Sequence, residues 1–229
     1  MDNVLLGWAP GIDQIIFPNT TGILAGVGTQ RLSLIIQVHY NNLLGTSGFI
    51  DNSGIRIFYT TKLRENSVTT LMSGSFVYLF YPDGGLPPGE NAFYSTAACV
   101  VSSTTPMTGF AVLNHAYLLG FQIWSDLFRF NPSTGNVDKI AELGRDDAYS
   151  FNTQHFSTLN NIQMQPEDVI STTCVYNSSM ATALGGYSSF QEMCLAFILA
   201  YPDAGSCGLP RTHRRTSALH LVRFNWIRW

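Results

Sequence analysis

The stretch Cys194-Leu195-Ala196-Phe197-Ile198-Leu199-Ala200 decides how this chain folds. It is a continuous apolar run, yet far short of the roughly 18–20 residues that a membrane-spanning helix needs, and its length is that of a core strand. No other apolar run is long enough to span a membrane either, so no transmembrane segment is expected. Moving outward, residues 32–40 (LSLIIQVHY) are rich in β-branched side chains and are expected as a strand. Residues 55–60 (IRIFYT) alternate apolar and polar and follow an Asp51-Asn52-Ser53-Gly54 turn cluster. Residues 76–80, 111–113 and 121–124 carry the same signature. Breakers separate them: Pro82-Asp83-Gly84-Gly85, Pro87-Pro88-Gly89, Asn131-Pro132 and Pro166-Glu167-Asp168. No stretch holds a 3.6-residue period over twelve residues. Short strands at regular spacing between turn signals point to an all-β chain built as a β-sandwich.

Composition agrees. Charged residues are only 12% of the chain and aromatics 13%, which suits packed β structure and argues against disorder. A length of 229 residues allows one large β domain, or one complete domain with part of another. The net charge of −3 hides an asymmetry, because residues 211–229 hold five arginines and no acid while the body carries all 15 acidic residues. An acidic body lacks the basic face that nucleic acid requires, so no nucleic-acid partner is expected.

The N-terminus, Met1-Asp2-Asn3-Val4-Leu5-Leu6, has neither a basic region nor an extended apolar one, and no signal peptide is read there. Asn19-Thr20-Thr21 and Asn177-Ser178-Ser179 match the N-glycosylation acceptor pattern. Cys99, Cys174, Cys194 and Cys207 do not form C-x-x-C pairs, which argues against zinc. Their spacing leaves all three disulfide pairings open, together with the alternative of four buried thiols in a reducing compartment. There is no G-x-S-x-G and no glycine-rich loop opening a helix, so triad hydrolysis and phosphate cradling find no support. His155 reads as a surface histidine, and His213 and His220 lie in the basic tail.

Three distant segments share a further pattern. They are Leu34-Ile35-Ile36-Gln37-Val38-His39-Tyr40-Asn41-Asn42, Leu113-Asn114-His115-Ala116-Tyr117-Leu118-Leu119-Gly120, and Gly185-Gly186-Tyr187-Ser188-Ser189-Phe190-Gln191-Glu192-Met193-Cys194. Together they resemble the copper type II, ascorbate-dependent monooxygenases, the family of dopamine β-monooxygenase and peptidylglycine α-hydroxylating monooxygenase. The resemblance implies a jelly-roll β-sandwich architecture with one complete domain plus a partial one. Residues 1–64 would be the C-terminal part of a first copper domain, residues 65–210 a second copper domain, and residues 211–229 match nothing in the family. It favours the disulfides Cys99–Cys207 and Cys174–Cys194, and hence a secretory lumen or the extracellular space.

For function, the resemblance implies hydroxylation of a substrate C–H bond with O2, with two coppers as cofactors and ascorbate as the reductant. The substrate, a small molecule or peptide, is not legible. One family copper is held by His-x-His and a distant methionine. Imidazole serves both copper oxidation states and a thioether favours Cu(I), while alternate residues on a strand share a face and can chelate one ion. Here the segment reads His115-Ala116-Tyr117, with Met193 at the methionine position and Tyr117 replacing the second histidine. A phenol with a pKa near 10 is a poor substitute. His39 matches one histidine of the other, electron-supplying copper, whose companion His-His pair would lie before Met1. Two readings follow: a piece of such an enzyme, impaired by missing ligands, or a non-catalytic β-sandwich retained as a binding module.

Overall fold

A computed structural model describes residues 4–29, 33–38, 40, 44–76, 85–181, 183–186 and 191–208. Among them the regular structure is β. The strands are β1 (Thr21–Gly22), β2 (Asn66–Ser67), β3 (Thr69–Phe76), β4 (Phe93–Ser103), β5 (Met107–His115), β6 (Gly120–Asn131), β7 (Asn136–Asp146), β8 (Phe156–Met164), β9 (Val169–Tyr176), β10 (Met193–Tyr201) and β11 (Gly205–Gly208). Among the described residues a 3-10 turn occupies Phe151–Thr153. Among the described residues no helix is long and apolar enough to cross a membrane.

Two antiparallel sheets pack face to face. One has the order β3-β10-β5-β8 and the other β11-β4-β9-β6-β7, while β1 and β2 form a small parallel pair. The apolar run Cys194–Ala200 lies in β10, at the interior of its sheet. Its Ala196, Ile198 and Ala200 point between the sheets, where they join Leu71, Val101, Val112, Leu127, Leu143 and Ile170. The opposite parity, Leu195, Phe197 and Leu199, packs on the outer face of the same sheet. That face is covered by Ala9, Ile12, Ile15, Phe17 and Ile23 from the N-terminal segment. Burial on both faces explains why β10 reads as continuous apolar sequence rather than as an alternating one. Each fully buried Leu, Ile or Val among these contributes about 1.5–3 kcal/mol, and the alanines less.

Three polar side chains inside the sandwich pair with one another. Thr172 donates to the Ser73 hydroxyl and hydrogen-bonds Ser125, joining the two sheets across the core. Cys174–Cys194 bonds β9 to β10, one strand from each sheet, with the Cα atoms 5.7 Å apart. Cys99–Cys207 bonds β4 to β11 at 5.5 Å. Both separations lie within the range that a disulfide spans. The outer edge strand, β7, carries Lys139, Glu142 and Arg145, charges that discourage pairing with another chain.

Two expected strands are not formed. Among the described residues, 33–38 and 40, and 55–60, form no regular structure and have no ladder partners, and Ile35, Phe58 and Tyr59 are 91%, 89% and 89% exposed. A β-rich pattern specifies a strand only when another strand accepts its hydrogen bonds, and no described segment does so here. The remaining expectations fall on real strands: 111–113 in β5, 121–124 in β6 and 195–199 in β10. Phe76 closes β3, and residues 77–80 lie outside the described residues.

Candidate metal centre

His115 is the last residue of β5, and β10 pairs with β5 so that Leu195 stands directly opposite His115. Met193 lies two residues before Leu195 and therefore on the same face, as a diagonal neighbour of His115; in a regular sheet such pairs sit roughly 7–8 Å apart, within reach of long side chains. Tyr117, two residues past His115, packs with Met193 and Leu195 in one buried cluster, bordered by Met72, Phe151 and Phe197. The His115 and Tyr117 rings meet edge to face with centroids 5.2 Å apart. The Phe151 ring completes the group at 6.3 Å from His115 and 5.7 Å from Tyr117. All of these residues lie on the outer face of the four-stranded sheet, away from the core between the sheets.

The protonation state of His115 follows from its partner. Gln154, itself buried, donates its amide nitrogen to the Phe151 carbonyl at 2.8 Å, which turns its amide oxygen towards His115 Nδ1, also at 2.8 Å. An amide oxygen only accepts, so Nδ1 carries the hydrogen and Nε2 keeps its lone pair. That is the tautomer a metal ligand needs, oriented by a hydrogen bond at the other nitrogen. Burial also lowers the His115 pKa, against the opposing Gln154 bond, and so favours the neutral ring. Gln154 is held in turn by the N-terminal segment, because its backbone N–H donates to the Pro10 carbonyl at 2.9 Å. Gly11 adopts φ +100°, and an added Cβ there would meet the Gln154 backbone at 2.6 Å. The turn needs a glycine for both reasons.

The link between β5 and β6 is fastened by side chains. The Tyr149 hydroxyl accepts from Ala116 N–H at 2.9 Å and donates to the Ala116 carbonyl. Glu192, 1% exposed, accepts from Tyr117 N–H at 2.9 Å through Oε2 and from Leu119 N–H at 2.7 Å through Oε1. Burial pushes the Glu192 carboxyl up to about 7, while the N–H groups of Leu119, Tyr117 and Met193 hold it down. Burial, together with the Glu192 charge, raises the Tyr117 phenol above its usual range.

These donors match copper in kind and fall short in number. An imidazole with a free Nε2 and a thioether suit Cu(I), but position 117 offers a phenol that holds its proton more tightly than usual. Among the described residues no group of three or more His, Cys, Asp or Glu could hold a metal ion. His39 lies outside the described residues. His155 is exposed, beside Gln154, whose role the sequence reading does not catch. Asn19 and Asn177 are exposed; the Asn177 side-chain oxygen accepts from the Ser179 hydroxyl at 2.6 Å, and Thr21 of the other acceptor motif is buried.

A model of the C-terminal domain of the copper type II ascorbate-dependent monooxygenases matches residues 72–214, more than half of the chain. The chain belongs to that family. It is 32% identical over 213 residues to "DBH-like monooxygenase protein 1" of Mus musculus, covering 88% of this chain and 33% of that protein. "Dopamine beta-hydroxylase" of Bos taurus is 33% identical over 212 residues, with 88% and 33% covered. "Tyramine beta-hydroxylase" of Caenorhabditis briggsae is 30% identical over 209 residues, with 87% and 34% covered. The chain thus spans about a third of the length of the curated relatives it matches.

Proposed function

We propose that this copper monooxygenase family member carries a depleted half of the oxygen-binding copper site, with His115 and Met193 as its donors and Tyr117 in the place of the missing one. The observation that carries the reading is the shared face: His115 with Nε2 unprotonated, Met193 on the adjacent strand, and Tyr117 between them. Bound copper would supply oxygen activation for C–H hydroxylation, with ascorbate as the reductant. This chain's own residues would orient the imidazole through Gln154, bury the thioether and limit water at the site through Phe151 and the N-terminal segment. Two strong donors bind one ion weakly, so the chain as it stands takes up copper with low affinity and does not complete ascorbate-driven hydroxylation.

The wider reading goes with this. Residues 65–210 are the second copper domain and residues 1–64 the end of a first, to which His39 belongs as a ligand of the electron-supplying copper. The exposed apolar residues described between 33 and 63 support that division, since they carry strand patterns with no ladder partner among the described residues. The two disulfides support a location in the secretory lumen or outside the cell, with Asn19 and Asn177 as the glycan acceptors. A second reading, a non-catalytic sandwich used as a binding module, is favoured by Tyr117, because an internal ligand replacement removes chemistry without disturbing the fold.

The test is Cu(I) affinity, measured by competition with a chromophoric chelator. Tyr117→His rebuilds His-x-His at the end of β5 and should raise affinity at least on the order of tenfold, since even outer-shell support is worth about 10–100-fold. Equal affinities would refute the shared site. Ascorbate-driven oxygen uptake by the unmodified chain would refute the impairment.

A further inference from the structure

Glu192 has no established part in this site, yet its placement is unusual. Its carboxylate is buried, and no ion pair is made to it among the described residues. Burying a charged carboxylate costs free energy that only strong hydrogen bonds offset. Two of its bonds go to backbone N–H groups of a single loop, Tyr117 at 2.9 Å and Leu119 at 2.7 Å, and a third comes from the N–H of the next residue, Met193. Its own backbone is tied down as well: Glu192 N–H donates to the Leu184 carbonyl at 2.7 Å, and Gly186 N–H donates to the Glu192 carbonyl at 3.1 Å. The next two residues are equally fixed. The Met193 carbonyl accepts from the Tyr176 hydroxyl at 2.8 Å, and Cys194 is bonded to Cys174.

The loop leading from β5 to β6 holds position 117, and β10 begins with Met193. The only regular ladder between these strands ends at the His115–Leu195 pair. Past that pair there is no backbone pairing between position 117 and Met193, and the Glu192 side chain bridges the two, beside the Tyr149 bonds to Ala116. Both of its oxygens act as acceptors. A glutamine would offer one oxygen and turn an NH2 group towards a backbone N–H, so it cannot make both bonds. An aspartate keeps both acceptors but draws them back by one methylene.

We propose that Glu192 is a positioning residue that clamps the loop carrying position 117 against the strand carrying Met193, and so sets the spacing of the two halves of the metal site. The inference rests on the metal-site reading given above, and its test separates the two. Amide hydrogen exchange in the whole chain reads Tyr117 and Leu119, with Val112 and Ile198 in the core strands as references. In Glu192→Gln, exchange at Tyr117 and Leu119 should accelerate at least on the order of tenfold beyond any change at the references, as expected when a buried hydrogen bond is lost.

Cu(I) affinity is then compared between Tyr117→His and Tyr117→His/Glu192→Gln. The affinity gained by the first variant should fall on the order of tenfold in the second. Glu192→Asp should give intermediate values for both readouts, and it serves if the glutamine variant fails to fold. Unchanged exchange at Tyr117 and Leu119 overturns the clamp. Accelerated exchange with equal Cu(I) affinities overturns its positioning role. If Tyr117→His itself gains nothing, the metal reading fails and the positioning role fails with it, while the exchange data still decide whether the clamp exists.

Discussion

Replacing Tyr149 by phenylalanine removes one oxygen and exposes how the candidate site is held. That hydroxyl satisfies both backbone groups of Ala116, a residue with no exposed surface, and Tyr149 is itself 6% exposed. Phenylalanine fits the same space, so packing is kept while a buried N–H and a buried carbonyl lose their partner. Each unsatisfied group costs about 1–3 kcal/mol, and relief from burying the phenol O–H returns part of this, leaving a net loss of about 2–3 kcal/mol. For a chain of this size that corresponds to a fall in Tm of about 5–10 °C. Urea unfolding under non-reducing conditions measures it, with exposed Tyr94→Phe as the control expected to change stability by less than about 0.5 kcal/mol. If Tyr149→Phe also loses less than about 0.5 kcal/mol, water reaches Ala116 and the description of a buried, side-chain-fastened loop is wrong.

Other perturbations probe the frame around the site. Removing Cys174–Cys194 (separation 20) as a double alanine variant should cost about 3 kcal/mol, and removing Cys99–Cys207 (separation 108) about 5 kcal/mol, with urea unfolding as the check and a loss under about 1 kcal/mol for either as the contradiction. Gly74 has φ +113° on β3, where an added Cβ would collide with the Cys194 carbonyl oxygen. Gly74→Ala should therefore lose about 3 kcal/mol or more and loosen the β3–β10 pairing, visible as a lowered Tm; unchanged stability would contradict this register. Arg129 pairs with buried Asp168 through two bonds, at 2.7 and 2.8 Å. Arg129→Met should cost about 2–3 kcal/mol in the same assay, below the value for a fully buried pair because the guanidinium is 36% exposed.

What the sequence discloses follows burial. β10 is legible because both of its faces are covered, and the segments inside β5 and β6 because their buried residues cluster. β7 escapes a reading based on apolar period because an edge strand carries its charges outward, as Asp138, Lys139 and Glu142 do. β8, with Ser157, Thr158, Asn160 and Asn161, escapes for a related reason: half of it faces solvent at a sheet edge. Residues 32–40 and 55–60 fail in the opposite way, since β-branched content says that a strand is possible but cannot supply its partner. Within the candidate site, the spacing of His115 and Tyr117 predicts one shared strand face; β5 ends at His115, and it is the ring contact that keeps Tyr117 beside it. Gln154, Tyr149 and Glu192 are single polar residues whose roles depend on contacts 33–75 residues away, and no local pattern marks them.

The account turns on whether one metal ion can sit between β5 and the start of β10. X-ray absorption at the copper edge of Cu(I)-loaded Tyr117→His measures this directly, because sulfur and nitrogen neighbours scatter differently. A shared site predicts a sulfur neighbour together with imidazole, and loss of the sulfur signal in Tyr117→His/Met193→Ala. A nitrogen-only shell in Tyr117→His, or a sulfur signal that survives removal of Met193, would contradict it.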